Sequence, residues 1–217
     1  NKFTMKDNYH PTINDNVVKN NICLKKSKII TGPNASGKTT LIKSITINTI
    51  ISQQIGLGFY SKFKFKPYDL FHCYINIPDT NNRDSLFQSE ARRCKNILDL
   101  IDGNKNKTHF CIFDELYSGT NPYEAIATAY SYLDYISKNK NVKFILTTHY
   151  IKLCEMLNSD KYIENIHMKT DIINDKPKYH YKIQKGISVI KGGVHVLKDL
   201  NYPDSITNSA FEVLKRI

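Results

Sequence analysis

The sequence has no tryptophan, only three methionines and no C-x-x-C pair. It also lacks an apolar run near the roughly 18 residues of a membrane-spanning helix, and no signal-peptide pattern stands at its start. These absences exclude a membrane protein and indicate a protein of the cell interior, either cytoplasmic or nuclear. We expect no membrane partner.

The cysteines are odd in number and scattered along the chain: Cys23, Cys73, Cys94, Cys111 and Cys154. A disulfide framework or a zinc site would need paired spacing, which is absent. Buried thiols in a reducing compartment are the expected alternative.

The charge and the length of the chain limit its possible partners and its number of domains. The 217 residues carry 31 basic and 20 acidic side chains, a net charge of +11. This excess favours polyanions by long-range attraction, but it does not separate a nucleotide from a nucleic acid. The length allows one substantial core, so we expect one domain.

A phosphate-binding pattern stands near the start of the chain, with two glycines, four residues between them, then Lys and Thr. Residues 27–31 predict a strand entering this loop, and a helix is predicted from Thr40 onward. In such loops backbone amides face phosphate oxygens, the lysine (Lys38) reaches the β- and γ-phosphates, and the hydroxyl (Thr39) holds Mg²⁺. The alternative is a chance match in a glycine-bearing turn. The pattern covers Gly32, Pro33, Asn34, Ala35, Ser36, Gly37, Lys38, Thr39 and Thr40.

Two adjacent carboxylates follow the apolar run 110–113. Asp114 would bind Mg²⁺ beside Thr39, and Glu115 would polarise the attacking water. Many surface strands end in acids, so the pair is informative only because it follows a phosphate loop in a chain of alternating strands and helices.

Ser85 and His149 are further candidates. Ser85 precedes a helix predicted from the spacing of residues 87–101, where it could meet an anion or simply cap the helix. His149 follows a predicted strand at 142–146 and could contact the γ-phosphate or its water. The alternative for His149 is an ordinary surface histidine.

Several other segments predict secondary structure but no functional role. Lysine and phenylalanine alternate over 61–66, which favours an edge strand over a nucleic-acid surface. Residues 71–77 predict a strand and 78–84 a polar connector. A capping box is predicted at Asn121 and Glu124. Residues 162–168 and 179–184 predict a hairpin. The last helix is expected to bury Ile206, Ala210, Val213 or Leu214, and Ile217.

The order of these motifs is that of the ABC-type ATPases, and within them the chain closely resembles the MutS family of DNA mismatch-repair ATPases. The resemblance covers His10 to the end. The matching blocks are residues 31–34 running into 37–40, 54–56, 85–87 with Glu90, 114–116 leading to 119–120, and 147–150.

The resemblance implies an α/β fold of the ABC-type P-loop NTPase class. We expect a central, mostly parallel sheet flanked by helices, with an antiparallel β appendage. Residues 1–24 would be lead-in strands, 25–160 the nucleotide-binding core, and 161–217 a hairpin with C-terminal helices. The mismatch-reading domains of the family have no counterpart here, so we expect the chain to be part of a longer protein.

The resemblance also implies ATP and Mg²⁺ as cofactors and a homodimer with two composite sites. ATP on one copy's phosphate loop would be capped by Ser85 of the other copy, and residues 118–122 would line the seam. DNA would be bound through the full-length protein. The strand containing Tyr181 would approach the adenine, although a histidine is typical at that position.

The chain also departs from the family. Tyr117 and Ser118 stand where mismatch-repair members usually carry Gly-Arg, and Asn121-Pro122 is typical of divergent MutS paralogues. The sequence therefore predicts an ATP-hydrolysing MutS-like domain, with a divergent paralogue or a nucleotide-regulated DNA-binding scaffold as alternatives. Another ABC-type ATPase is disfavoured because no Leu-Ser-Gly-Gly signature occurs.

Overall fold

The structure is a computed structural model that describes residues 3–75, 85–173, 176–190 and 192–216. The strands are β1 (Thr4–Asn8), β2 (Asn20–Cys23), β3 (Ser27–Thr31), β4 (Lys62–Lys64), β5 (Leu70–Tyr74), β6 (His109–Asp114), β7 (Val142–Thr147), β8 (Ile163–Ile173) and β9 (Lys176–Lys185). The helices are α1 (Lys38–Ile55), α2 (Leu86–Gly103), α3 (Pro122–Ser137), α4 (Ile151–Met156), α5 (Gly193–Asp199) and α6 (Asp204–Arg216).

A six-stranded sheet in the order β5-β6-β7-β3-β8-β9 forms the centre of the fold. Every neighbouring pair in it is parallel except β8 with β9. Strand β3 is buried along its whole length, as are all residues of β6 except the last. Both faces of the sheet must therefore be covered, which explains why β6 contains the apolar run 110–113 without alternation. The expected α/β class with a mostly parallel sheet is confirmed.

Hydrophobic clusters cover both faces of this sheet. On one face α1 packs with β1, through residues such as Ile42, Ile45 and Met5. On the other face α2, α3 and α4 pack together, through residues such as Ile101, Leu133 and Leu153. In α2 the predicted positions Cys94 and Ile101 are buried together with Ile97, whereas Leu98 is only partly buried.

A separate antiparallel sheet has the order β2-β1-β4. The strand predicted over 61–66 is shorter, Lys62–Lys64, and lies at the edge of this sheet. Its two lysines are exposed, whereas the Phe63 ring packs 4.8 Å from the Phe3 ring and 4.2 Å from the Phe65 ring. The phenylalanines are used in packing, so the structure favours the edge-strand interpretation over base stacking.

The predicted hairpin is confirmed, because β8 and β9 pair in antiparallel fashion where the sequence placed its two strands. Its first strand, β8, also pairs in parallel with β3, so the hairpin extends the central sheet. A separate antiparallel sheet is formed by β1, β2 and β4. Periodicity could not show this, because strand order depends on contacts distant in sequence.

Other differences lie at the ends of elements. Helix α1 begins at Lys38, two residues before the predicted start, and ends at Gly56, whose positive φ of 75° suits glycine. In α6 the expected core residues Ile206 and Val213 are about half exposed, and Thr207 is buried in their place. Ile217, the end of the strand predicted over 71–77 and the connector 78–84 lie outside the described residues.

The cysteines are free thiols, as expected, but they are not all buried, since Cys73 is exposed and Cys23 partly so. Within the described residues, no helix combines the length and the apolar character needed to cross a bilayer.

Candidate functional site

The loop between β3 and α1 has the geometry of an anion cradle. Gly37 adopts a left-handed conformation, with φ of 91°, which lets the chain turn sharply into the helix at Lys38. The helix N-terminus receives no side-chain cap, and its first backbone bond within α1 runs from Leu41 N–H to Gly37 O at 2.9 Å. The early amides and the helix dipole thus favour a bound anion.

Lys38 points back over this loop. Its Nζ donates to Gly32 O at 2.9 Å and to Pro33 O at 3.3 Å, and the residue is only 6% exposed. Burial lowers the pKa of Lys38, while Glu115 and Asp114 oppose that shift. A phosphate at the loop would offer the amine stronger, charge-assisted acceptors than these carbonyls.

Ser36 also fits an anion at this loop. Its Oγ is buried and has no hydrogen-bond partner among the described residues. A buried hydroxyl without a partner is costly, so an unmet donor beside the loop is consistent with a ligand that the chain itself does not contain.

Thr39 and Asp114 form the candidate magnesium site. The Thr39 hydroxyl donates to Asp114 Oδ2 at 3.0 Å and lies 3.2 Å from Oδ1, and the Thr147 hydroxyl also donates to Oδ1. Magnesium in nucleotide sites usually takes one or two protein oxygens and fills its remaining positions with water and phosphate oxygens. These donors fit that pattern. The described residues contain no group of three or more His, Cys, Asp or Glu side chains able to hold a metal.

Glu115 and His149 are brought together beside the magnesium candidates. His149 Nδ1 lies 3.5 Å from Glu115 Oε1. This contact, helped by the more distant charge of Lys38, holds the pKa of Glu115 below its usual value against the opposing effect of burial. Glu115 is therefore an ionised and partly exposed carboxylate, so it can accept a hydrogen bond from a water.

A cavity of about 600 Å³ opens beside the loop and joins several predicted residues. Its wall includes Asn34, Lys38, Thr39, Glu115 and Tyr181. The Tyr181 ring covers the loop closely, since its Cδ1 would lie 3.1 Å from a Cβ built on Gly37. This volume is sufficient for a nucleotide-sized ligand.

The far wall of that cavity comes from the segment joining β1 and β2, which the sequence left without a role. Asn20, mostly buried, fixes this wall to strand β9: its Nδ2 donates to Tyr181 O at 2.8 Å and its Oδ1 accepts from Ile183 N–H at 2.9 Å. An irregular segment has no periodicity, so only its spatial position reveals the contribution. The remaining wall residues include His10, Ile13, Asp15, Val17 and Val18.

The other predicted residues occupy different places. Asn34 and Ala35 on the loop and Thr40 in the first turn of α1 are exposed, whereas Gly32, Pro33 and Ser36 are buried. His149 lines a second cavity of about 240 Å³, with Ser188 and Gly192.

Ser85 is not among the residues that line either cavity. It is exposed and caps α2, because its Oγ accepts from Gln88 N–H at 3.3 Å while the Gln88 side chain accepts from Ser85 N–H at 2.9 Å. Ser85 is thus the N-cap of α2, and contact of this residue with an anion stays a prediction. The second capping box is only half formed, because Glu124 binds the Thr120 hydroxyl instead of Asn121 N–H.

Thr147 is a site residue that the motifs did not assign. It is fully buried and binds Asp114 from the neighbouring strand. Its place between the predicted strand 142–146 and His149 was the available clue, but a threonine at a strand end is common.

The fold and the site define an α/β domain that presents a phosphate-type loop beside an Asp-Glu pair. A sequence profile described as MutS domain V matches residues 28–217, so the chain belongs to this family. It is 28% identical over 220 residues to the DNA mismatch repair protein MutS of Persephonella marina, covering 98% of this chain and 25% of that protein. It is 29% identical over 223 residues to the protein of the same name from Bacillus mycoides, covering 98% of this chain and 24% of that protein. The chain thus spans about a quarter of the length of these relatives.

Proposed function

We propose that the chain is the ATP-binding and ATP-hydrolysing domain, of ABC-type P-loop architecture, of a MutS-like DNA mismatch-repair protein. The contact between the Thr39 hydroxyl and the Asp114 carboxylate carries this proposal. It joins the two halves of a Mg²⁺–nucleotide site at one edge of the sheet. The match to MutS domain V and the names of the relatives support the assignment to mismatch repair.

Each side chain has a distinct part in the proposed reaction. Lys38 would bind the β- and γ-phosphates, and Thr39 with Asp114 would hold Mg²⁺, which neutralises phosphate charge when bound. Glu115 would orient a water and take its proton, with His149 fixing the carboxylate at 3.5 Å. Phosphoryl transfer depends mainly on such positioning and charge neutralisation.

The site also requires a second copy of the chain. Ser85 is exposed at the N-terminus of α2 and does not line the cavity beside its own phosphate loop. We propose that two copies associate so that each brings Ser85 to the γ-phosphate bound by the other. Closure of this dimer would couple ATP to DNA-engaged states of the longer protein.

A divergent MutS paralogue, acting in recombination or on other nucleic-acid structures, is the second candidate. The substitution of Tyr117-Ser118 for the usual Gly-Arg favours it. Both residues are built into the fold, since Tyr117 is buried and the Ser118 hydroxyl donates to Glu90 at 2.8 Å. A scaffold in which nucleotide controls only dimerisation is the third candidate, and the absence of turnover would favour it.

The test is ATP turnover and sizing of the Glu115→Ala variant with and without ATP and Mg²⁺. We expect ATP binding to persist, turnover to fall by roughly a hundredfold or more, and a dimer to accumulate. Glu155→Ala, which removes an exposed acid on α4, is the matched control and should behave like the unmodified chain. Wild-type turnover by Glu115→Ala would refute the catalytic assignment.

A further inference from the structure

Glu90 is a buried acid that the proposed mechanism does not use. It lies on α2, is 2% exposed, and accepts three hydrogen bonds from the loop that follows Glu115. Ser118 N–H and Ser118 Oγ donate to Oε1 at 3.0 and 2.8 Å, and Gly119 N–H donates to Oε2 at 3.0 Å. These three bonds use both carboxyl oxygens, and this clamp joins the loop to α2.

A second, independent contact joins the same two segments. Gly119 lies directly against the first turn of α2, because a Cβ at this position would be 2.7 Å from Phe87 N and 2.7 Å from Leu86 Cγ. A backbone atom cannot move aside without displacing the helix. The loop and the start of α2 are thus in contact at a place where only glycine fits.

The loop held in this way is conformationally strained. Glu115 and Tyr117 both have positive φ, 54° and 58°, although neither is glycine. Such conformations are unfavourable for residues with a Cβ and persist only where surrounding contacts enforce them. The Tyr117 ring is fixed between the rings of Phe87 and Tyr132, at 5.9 and 6.4 Å, and the clamp completes this restraint.

We propose that Glu90 is a positioning residue that locks the loop carrying Glu115 to the helix that begins at Ser85. The inference rests on the proposed function, in which Glu115 acts on the ATP of its own copy and Ser85 on the ATP of the partner copy. Glu115 belongs to one composite site and Ser85 to the other, and the clamp therefore joins them in one rigid unit. When Ser85 caps the nucleotide of the partner copy, any movement of Ser85 is passed to Glu115 in the other site. The two sites of the dimer therefore act together.

The clamp itself is tested without nucleotide, by amide hydrogen exchange of the unmodified chain and of Glu90→Gln. The glutamine has nearly the same shape but turns an N–H₂ group toward the loop donors, so at least one bond is lost. We expect faster exchange at Ser118 and Gly119, with little change in the sheet amides. Unchanged exchange at these two positions overturns the clamp, whether or not the chain hydrolyses ATP.

The catalytic consequence is tested by steady-state kinetics of Glu90→Gln and Gly119→Ala. The second variant pushes the loop from α2 while leaving the carboxylate intact, so it tests the same coupling if Glu90→Gln folds poorly. We expect kcat to fall roughly tenfold to a hundredfold, with KM and the Kd for ATP unchanged and with loss of cooperativity in ATP concentration.

The matched control is Asp99→Asn, which changes an exposed acid of the same helix to its amide and should leave the kinetics unchanged. Wild-type kcat in both loop variants, or a fall in kcat that follows weaker ATP binding, overturns the positioning role. If the unmodified chain showed no turnover, the proposed function would fail, while the exchange result would still decide the clamp.

Discussion

The hydroxyl of Thr39 and the carboxylate of Asp114 lie 3.0 Å apart although 75 positions separate them in the sequence. The sheet explains this proximity. Strand β7 pairs in parallel with both β3 and β6, and its register places Thr147 beside both Ile30 and Asp114. The carboxyl ends of the strands therefore meet at one edge, where open α/β sheets usually bind their ligands.

Replacement of Lys38 by alanine should weaken nucleotide binding strongly. The amine would neutralise phosphate charge, so we expect the Kd for ATP to rise by roughly a hundredfold, measured by calorimetry or fluorescence. Lys43→Ala, a change on the same helix outside the cavity wall, should bind ATP normally. Because Lys38 also donates to Gly32 O and Pro33 O, the thermal unfolding of the Lys38→Ala variant must be measured together with its ATP binding. Full ATP binding by a folded Lys38→Ala variant would contradict the phosphate-loop assignment.

Two substitutions of Ser85 separate helix capping from action on the partner copy. Ser85→Ala should lose about 0.5–2 kcal/mol of stability, because it removes the N-cap bond to Gln88. Ser85→Asp should preserve the cap, since aspartate is an equally good N-cap residue, but its charge would repel a γ-phosphate. We expect both variants to lose turnover and to retain ATP binding by single copies. Normal turnover by Ser85→Asp would show that Ser85 acts only as a cap.

Tyr181 should contribute to nucleotide affinity by stacking. Its ring covers the phosphate loop and is 44% exposed, so one face is available to a base. Aromatic stacking on a base contributes on the order of 1–3 kcal/mol, so Tyr181→Ala should weaken ATP binding roughly fivefold to a hundredfold. Tyr181→Phe preserves the ring and should bind normally. Equal weakening of ATP and of inorganic triphosphate would argue against contact with the adenine.

A pair of buried histidines should make stability depend on pH. His72 Nε2 lies 3.0 Å from His109 Nδ1, and burial, His109 and Arg93 together lower the pKa of His72 to about 4 from 6.5. His72 therefore binds a proton below pH 6.5 in the unfolded chain, but only below about pH 4 in the folded chain. Stability should be full above this window and fall through it by at most about 1.4 kcal/mol per pH unit.

Urea unfolding across this pH range measures the histidine effect. His72→Asn should flatten the decline between pH 6.5 and about 4, because the titrating ring is gone. His10→Asn, at a more exposed histidine, should leave the decline intact. An equally steep decline in His72→Asn would assign the pH dependence to other titratable groups.

Local patterns were sufficient for the elements that carry the motifs. The strand 27–31 was predicted with its observed bounds, because it leads directly into the glycine-bearing loop. Helix α2 was likewise evident from its spacing, and Ser85 from its place ahead of that helix. These features depend on neighbours within a few residues, which the sequence displays directly.

Contacts distant in sequence could not be predicted in the same way. The three bonds from Ser118 and Gly119 to Glu90 join segments 28 and 29 positions apart. Likewise, the wall formed by the segment before β2 depends on Asn20 reaching β9 across more than 160 positions. The hydrophobic periodicity of the sequence does not indicate which distant residues form such pairs.

By itself, the sequence determined the α/β class, the glycine-bearing loop that leads into Lys38 and Thr39, and the presence of Asp114 and Glu115 at a strand end. Each is a local property, because glycine spacing and apolar runs limit the backbone wherever they occur. Only the tertiary structure decided that β8 extends the central sheet and that Glu90 holds the loop of Glu115 against α2. The reason is that strand order and the partner of a buried charge are decided by packing among segments distant in the chain.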